Sequence, residues 1–224
     1  MNYLLINGSP RGHNSNSRLL LSLLKEGMER KSISHNIEII TLRPMLENKN
    51  WMTFIKKADY IIIAFPLYAD HVPGILKKFI EELGSQSLQN KKLGWISQCG
   101  FPESIHLETV EKYLKKLTKR LGAQNIGIIK KAGAEGIRLI PPQMTAKLFE
   151  KIRVFGEDLI QKGVFDEEAI NRLKKPRRYN LFKRILIRFL SLIGLTNMYW
   201  NSQLKKNHAY KNRFAQPYGD GGRG

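Results

Sequence analysis

The stretch that decides the fold is Ile6-Asn7-Gly8-Ser9-Pro10-Arg11-Gly12-His13-Asn14-Ser15-Asn16-Ser17. It follows an apolar run at 3–6 and precedes a leucine-rich run at 19–24. That order predicts a buried strand, a polar loop and an amphipathic helix. A helix beginning near residue 15 would point free backbone N–H groups and its positive dipole end into the loop. The stretch therefore predicts a phosphate site at the carboxyl edge of a parallel sheet.

The loop matches neither of the two common nucleotide motifs. No lysine follows Gly12, as a P-loop requires, and no third glycine completes a dinucleotide fingerprint. The donors in this loop are hydroxyl and amide groups, which are the donors typical of flavin mononucleotide (FMN) sites. The alternative is a strand-to-helix turn that Asn14 or Ser15 caps and that binds nothing. Because a cap needs one such residue and the loop offers several, we favour the phosphate site.

Strand-like and helix-like patterns alternate over the first three quarters of the chain. Strand-like runs occupy 3–7, 37–42, 60–65, 93–98 and 125–130, and helix-like runs occupy 16–31, 51–57, 74–84, 104–121 and 144–162. This alternation predicts an α/β fold, a doubly wound sheet of five parallel strands. We assign residues 1–165 to this domain and 166–224 to a basic, partly amphipathic helical extension.

Three loops would meet where ligands bind in such sheets, outside the carboxyl ends of the strands. They are 8–17, the proline-stiffened and aromatic segment 66–74, and 99–103. Their composition suits a ligand with a phosphate at one end and a flat ring at the other. The loop 133–136 after the last strand either borders a substrate pocket or forms an ordinary turn.

These loops resemble the NAD(P)H-dependent FMN reductase group of flavodoxin-like proteins. The matching pieces are Gly8-Ser9-Pro10-Arg11 with Ser15-Asn16-Ser17, Phe65-Pro66-Leu67-Tyr68 with Pro73-Gly74 and Lys77, and Gly100-Phe101-Pro102-Glu103. The resemblance covers residues 1–165 and implies strand order 2-1-3-4-5, FMN as cofactor and hydride uptake from NAD(P)H. It also implies a homodimer or a higher homo-oligomer.

The resemblance assigns a role to each loop position. The FMN phosphate would be held by Ser9, Arg11, Asn14, Ser15, Asn16 and Ser17. The isoalloxazine would lie along Pro66, Leu67, Tyr68 and Ala69, and the other side of the ring would be closed by Cys99, Gly100 and Phe101. No catalytic side chain is required, because the flavin carries the chemistry.

Several site residues keep a second interpretation. Arg11 suits the FMN phosphate, the 2′-phosphate of NADPH or a solvent-facing loop. Cys99 is either a redox thiol or, as we favour, a small packed residue. Asp70 and His71 are either a proton donor pair or, as we favour, a surface pair.

The composition of the chain limits which other classes of protein and of site are possible. The chain has 224 residues and a single cysteine, which excludes a disulfide framework and a cluster or zinc site built on several thiolates. No His, Asp or Glu set has metal-ligand spacing, and we expect a cytoplasmic protein without a signal peptide. The net charge of +19 suggests an anionic partner or a solvated basic surface.

The extension contains an apolar helical run over 181–195. Arg177, Asn180, Arg184, Arg188 and Ser191 would form one polar stripe on it. We expect it to pack on a second copy as a dimer arm. The alternative is peripheral membrane contact through 177–200, with Tyr199 and Trp200 at headgroup level. The run is too short to span a bilayer, and nucleic acid is disfavoured because no known module is visible.

The three loops together with the resemblance imply an FMN-dependent NAD(P)H oxidoreductase. It would pass hydride through the flavin to a small-molecule acceptor, namely a quinone, a nitro or azo compound or free flavin. The alternatives are a non-enzymatic electron-transfer flavoprotein and a membrane-docked flavodoxin-like protein.

Overall fold

Five parallel strands form the centre of the protein. The computed structural model describes residues 1–224 except 32–33, 49–50, 139, 174–175, 195–196 and 216–224. The strands are β1 (Asn2–Asn7), β2 (Asn36–Thr41), β3 (Tyr60–Pro66), β4 (Lys92–Gln98) and β5 (Gln124–Lys131). They pair in the order β2-β1-β3-β4-β5. The predicted fold class and strand order are therefore confirmed.

Helices connect the strands and cover both faces of the sheet. In the N-terminal part of the chain these are α1 (Asn16–Lys31), α2 (Leu42–Asn48), α3 (Trp51–Lys57), α4 (Gly74–Leu83), α5 (Glu108–Arg120), α6 (Pro142–Lys162) and α7 (Glu167–Leu173). Two further described helices, α8 (Leu181–Leu192) and α9 (Met198–Lys206), follow along the chain. Because successive residues of a strand point to opposite faces, β3 supplies both layers of the core. Ile61 and Phe65 pack with α3, α4 and α5, whereas Ile62 packs with α1 and α6.

Helices α1 and α6 cross at two glycines. A Cβ atom on Gly27 would lie 1.9 Å from the carbonyl oxygen of Arg153, and one on Gly156 would lie 2.1 Å from that of Leu24. A larger residue at either position would force the two backbones apart, because such distances lie far inside van der Waals contact. This crossing holds α1 against the sheet, and the first turn of α1 begins beside the loop after β1.

The first compact part of the chain extends past the predicted boundary at 165. Residues Met1–Arg178 form one compact unit, the N-terminal unit, and Tyr179–Gly224 form a second, the C-terminal unit. Phe165 donates its N–H to the carbonyl oxygen of Ile126, 2.8 Å away. Leu173 of α7 is buried in the same core layer. The hydrophobic core therefore recruits the segment that follows α6.

The C-terminal unit contains the predicted apolar helix, with two corrections. Helix α8 begins after Asn180, whose side-chain oxygen accepts from the N–H of Lys183 at 3.0 Å. Arg177 lies outside this helix, in the N-terminal unit, with its Nε 2.7 Å from Oε1 of Glu108. It is therefore not part of the polar stripe. Helix α8 ends at Leu192, and Leu195 and the side chain of Tyr199 lie outside the described residues. Within the described ranges, no helix combines the length and apolar character needed to cross a bilayer.

Candidate functional site

The loops after β1, β3 and β4 converge on one cleft at the carboxyl edge of the sheet. The cleft encloses about 60 Å³. The loop after β5 also borders it, through Glu135. The lining residues are Ser9, Arg11, Ser15, Asn16, Pro66, Leu67, Tyr68, Gln98, Cys99, Gly100 and Glu135.

The loop after β1 is organised by Asn7, the last residue of the strand. The Asn7 side chain is fully buried. Its Nδ2 donates to the carbonyl oxygen of Gly12 at 2.8 Å, and its Oδ1 accepts from the N–H of Ser9 at 3.1 Å. A buried amide that makes both bonds fixes the start and the turn of the loop at once. Sequence reasoning did not assign Asn7 to the site, although a lone polar residue closing an apolar strand is a visible signal.

The first turn of α1 directs donors at the cleft. Ser15 caps the helix, because its Oγ accepts from the N–H of Arg18 at 3.1 Å. It also donates to the carbonyl oxygen of Gly12 at 2.7 Å. The N–H groups of Asn16 and Ser17 have no acceptor within the helix, since the first turn never does. Free amides and the positive end of the helix dipole are the groups with which helix N-termini hold anions.

Two polar side chains on this turn do not face the cleft as donors. The Asn16 Nδ2 donates to the carbonyl oxygen of Ala134 at 2.8 Å, which ties the loop after β1 to the loop after β5. The Ser17 hydroxyl is fully buried and, among the described residues, has no hydrogen-bond partner. A buried hydroxyl without a partner is costly, so a ligand or water that reaches it would recover that cost.

The loop after β3 makes a tight reversal beside the cleft. Tyr68 and His71 exchange two backbone hydrogen bonds of 3.0 Å each. Ala69 and Asp70, between them, have φ values of +46° and +57°. Residues other than glycine seldom adopt these left-handed values, and such strain is concentrated at functional sites. Tyr68 is 42% exposed and lines the cleft, whereas Ala69 does not.

The loop after β4 places backbone rather than side chains at the cleft. A Cβ atom on Gly100 would lie 3.3 Å from the Cβ of Glu135. Phe101 turns away and stacks on His106, with ring centroids 4.3 Å apart. The Nδ1 of His106 lies 3.8 Å from a carboxylate oxygen of Asp70. Gly100 therefore keeps open a space that any larger residue would narrow.

Cys99 is a packed residue in this cleft. Its side chain is buried, and its Sγ lies 3.5 Å from the carbonyl oxygen of Phe101. Burial raises the pKa of the thiol, with only partial compensation from the backbone and from Lys131. Because the thiolate is the reactive form, Cys99 has little of it at neutral pH.

The cleft brings together most, but not all, of the predicted residues. Asn14, Ser17, Ala69 and Phe101 do not line it. Gln98 and Glu135 do, and they were not among the predicted ligands. Gln98 is the last residue of β4, so the predicted end of that strand already indicated its position. Ala69 and Phe101 fell outside because their side-chain directions depend on loop conformation, whereas Ser17 lies in α1 with its side chain buried.

The sequence of this chain matches the model of a known family. That family is described as having a flavodoxin-like fold, and the match covers residues 1–153. The chain belongs to the flavodoxin-like fold family. No curated protein matches the chain.

Solved structures share this flavodoxin-like fold at low sequence identity. An FMN-dependent NADH-azoreductase from Bacillus anthracis, in complex with FMN, is 19% identical, with a TM-score of 0.54; the match covers 71% of this chain and 100% of that one. An NADH:FMN oxidoreductase in its apo form is 18% identical, with a TM-score of 0.56, covering 80% and 96%. An NADPH-quinone reductase from P. pentosaceus is 14% identical, with a TM-score of 0.51, covering 70% and 98%. At these identities the likeness shows the fold alone.

Proposed function

We propose that this chain is an FMN-dependent NAD(P)H oxidoreductase that reduces a small-molecule acceptor. The observation that carries the proposal is the open first turn of α1, facing a cleft that two further loops complete. The azoreductase and the oxidoreductase compared above, which share the fold, are FMN-dependent or FMN-reducing by their names. The acceptor would be a quinone, a nitro or azo compound or free flavin.

The residues present fit the phosphate end of FMN. The amides of Asn16 and Ser17, the hydroxyl of Ser9 and the guanidinium of Arg11 supply hydrogen-bond donors around the cleft. The cleft is far smaller than the roughly 300–1,000 Å³ of a typical cofactor pocket, so it suits a phosphate rather than a whole nucleotide. The ring would then lie against the rim that Leu67, Tyr68 and Gly100 form.

The chain's own residues would bind and orient FMN. Bound FMN would supply the redox chemistry by accepting and donating hydride. Asn7 and Ser15 hold the phosphate loop in one conformation before the ligand arrives. The bare backbone of Gly100 allows close approach of a flat ring. Glu135 lines the cleft as a carboxylate, so affinity for a phosphate must come from the amides and Arg11.

Flavin binding and turnover test this proposal. We expect the purified protein to bind FMN at one site, measured by quenching of flavin fluorescence. We also expect it to oxidise NADH or NADPH steadily when a soluble quinone is present. Arg11→Ala should weaken FMN binding about tenfold, as loss of a charged hydrogen bond does. Arg120→Ala is the matched control, because Arg120 ends α5 at the opposite edge of the sheet.

Two outcomes would contradict the proposal in different ways. A protein that does not bind FMN at all is not a flavoprotein. A protein that binds FMN but turns over only with an added reductase is an electron carrier instead. The homo-oligomer and the cytoplasmic location stay predictions; sedimentation velocity and cell fractionation test them.

A further inference from the structure

Helix α8 presents its apolar side chains outward. Each apolar residue of this helix is exposed except Leu190, which is half-buried. Ile185 is 59% exposed and Ile187 is 43% exposed. Exposed apolar patches of this kind mark interaction sites. The question is which partner covers them.

The apolar residues occupy one side of the helix. With about 100° of rotation per residue, they span about 180° of the circumference, from Leu181 at one edge to Leu190 at the other. Arg184 and Ser191 lie on the opposite side. Ile187 is the one apolar residue on that polar side. The apolar arc contains Leu181, Leu192, Ile185, Phe189, Phe182, Leu186 and Leu190.

Cations flank both edges of this arc. Arg188 lies about 20° beyond Leu181, and Lys183 lies about 20° beyond Leu190 on the other edge. Long basic side chains at the edges of an apolar face can bury their stems while their charges reach outward. Residues 179–215 carry seven Lys and Arg and no Asp or Glu. The arc is therefore bordered by positive charge alone.

We propose that α8 docks the protein on an anionic membrane surface, lying in the interface plane with its apolar arc toward the acyl chains. The phosphate groups of anionic lipids complement the bordering cations, and the acyl boundary accepts the exposed leucine, isoleucine and phenylalanine side chains. Helix α8 has only twelve residues, so it lies in the interface rather than crossing it.

Charge separates this partner from a second copy of the chain. A dimer arm would bring the positive 179–215 segment against another basic protein surface. Residues 1–178 hold 30 Lys and Arg against 18 Asp and Glu, so that surface repels the segment on balance. An anionic bilayer supplies both the apolar layer and the opposite charge. The dimer arm that the sequence predicts lacks this complementarity.

Tryptophan provides a reporter for the docking. Trp51 and Trp95 are buried in the N-terminal unit, whereas Trp200 of α9 is 58% exposed. An exposed tryptophan shifts its emission to shorter wavelength when it enters the lipid interface, where such side chains are enriched. The shift should therefore report Trp200 alone, and Trp200→Phe should abolish it without abolishing binding.

The experiment is flotation of the full-length protein with vesicles of phosphatidylcholine containing phosphatidylglycerol, and with phosphatidylcholine alone. We expect binding to the anionic vesicles, weakened by salt, and much weaker binding to the neutral ones. Ile185→Asn should reduce partitioning about tenfold or more, as loss of one buried isoleucine implies. Ile187→Asn makes the same change on the polar side and should leave partitioning within about twofold. Arg188→Gln should cost about fivefold on anionic vesicles.

Several results would overturn the proposal. Equal loss in the two isoleucine variants would show that the arc is not the contacting face. Equal binding to neutral vesicles would remove the role of the cations. Release by excess soluble glycerol phosphate would mean that a free phosphate site, rather than a membrane, is bound. If Ile185→Asn instead converted a dimer to a monomer in sedimentation, with no vesicle binding by either form, a second copy would be the occupant.

Discussion

The two compact units use the same apolar residue types in opposite ways. Ile62 of β3 is fully buried between the sheet and helices α1 and α6. Ile185 of α8, chemically identical, is 59% exposed. In the N-terminal unit, helices and strands bury each other's apolar faces. The C-terminal unit has an equally clear apolar face, on α8, and leaves it exposed to solvent. An amphipathic pattern therefore predicts a helix and its apolar face, but not what covers that face.

Truncation of Ile62 and of Ile185 should affect stability very differently. Ile62→Ala should lower the free energy of unfolding by about 4 kcal/mol, because a fully enclosed site cannot collapse around the cavity. Ile185→Ala should change it by no more than about 0.5 kcal/mol, as surface substitutions do. Urea denaturation followed by circular dichroism measures both. Similar losses in the two variants would show that α8 is buried in solution.

The tight crossing of α1 and α6 offers the next largest effect. Gly27→Ala should destabilise the N-terminal unit by about 3 kcal/mol, since the new methyl group meets backbone that cannot move alone. Gly74→Ala is the matched control: nothing lies within 4 Å of a Cβ there, and alanine favours the helix that Gly74 begins. The same denaturation experiment compares them. A stable Gly27→Ala variant would show that the helices separate at little cost.

Lowering the pH should change the stability of the N-terminal unit more than that of the C-terminal unit. We expect this effect to be smaller than those of the substitutions above. Burial raises the pKa of Glu111, but hydrogen bonds from Lys130 and Lys115 outweigh burial and hold it below its ordinary value of 4.5. A carboxyl with a lowered pKa in the folded state stabilises fully above 4.5 and loses its contribution as pH falls below that value. Residues 179–215 contain no carboxylate side chain to protonate.

Glu111→Gln should therefore cost about 1–2 kcal/mol at neutral pH, because it removes the charged acceptor from a largely buried Lys130, and the cost should shrink as the solution becomes more acid. The coupling between Glu111→Gln and Lys130→Gln, from a double-mutant cycle, measures the pair directly. A coupling that stays constant from neutral pH to well below 4.5 would contradict the assignment.

Most of the fold was predictable because its signals are local. The apolar run at 60–65 is a strand buried on both faces, and the structure places β3 at Tyr60–Pro66. Helices α2 and α7 were missed for identifiable reasons. Helix α2 contains Pro44, which reads as a break, yet in the first turn its missing N–H costs nothing. Helix α7 is short and is stabilised by tertiary packing of Leu173.

The sequence predicted which loops form the site, but not which side chains of those loops point into it. The order of strands brings Ser9, Tyr68 and Gly100 to one edge whatever the loops do in detail. The left-handed turn at Ala69 and the stacking of Phe101 on His106 are set by contacts within single loops, whose conformation the hydrophobic pattern does not encode. Glu135 enters the cleft from the loop after β5, which a bond from Asn16 to Ala134 ties to the start of α1.

The bond between Asn16 and Ala134 has a mechanical consequence. One of the two N–H donors of the Asn16 side-chain amide bonds the carbonyl oxygen of Ala134 at 2.8 Å. The second N–H can donate to an anion at the start of α1 while the first bond stays intact. The same side chain would then join an anion held there to the loop around Ala134, 118 residues further along the chain, so that occupancy at one loop steadies the other.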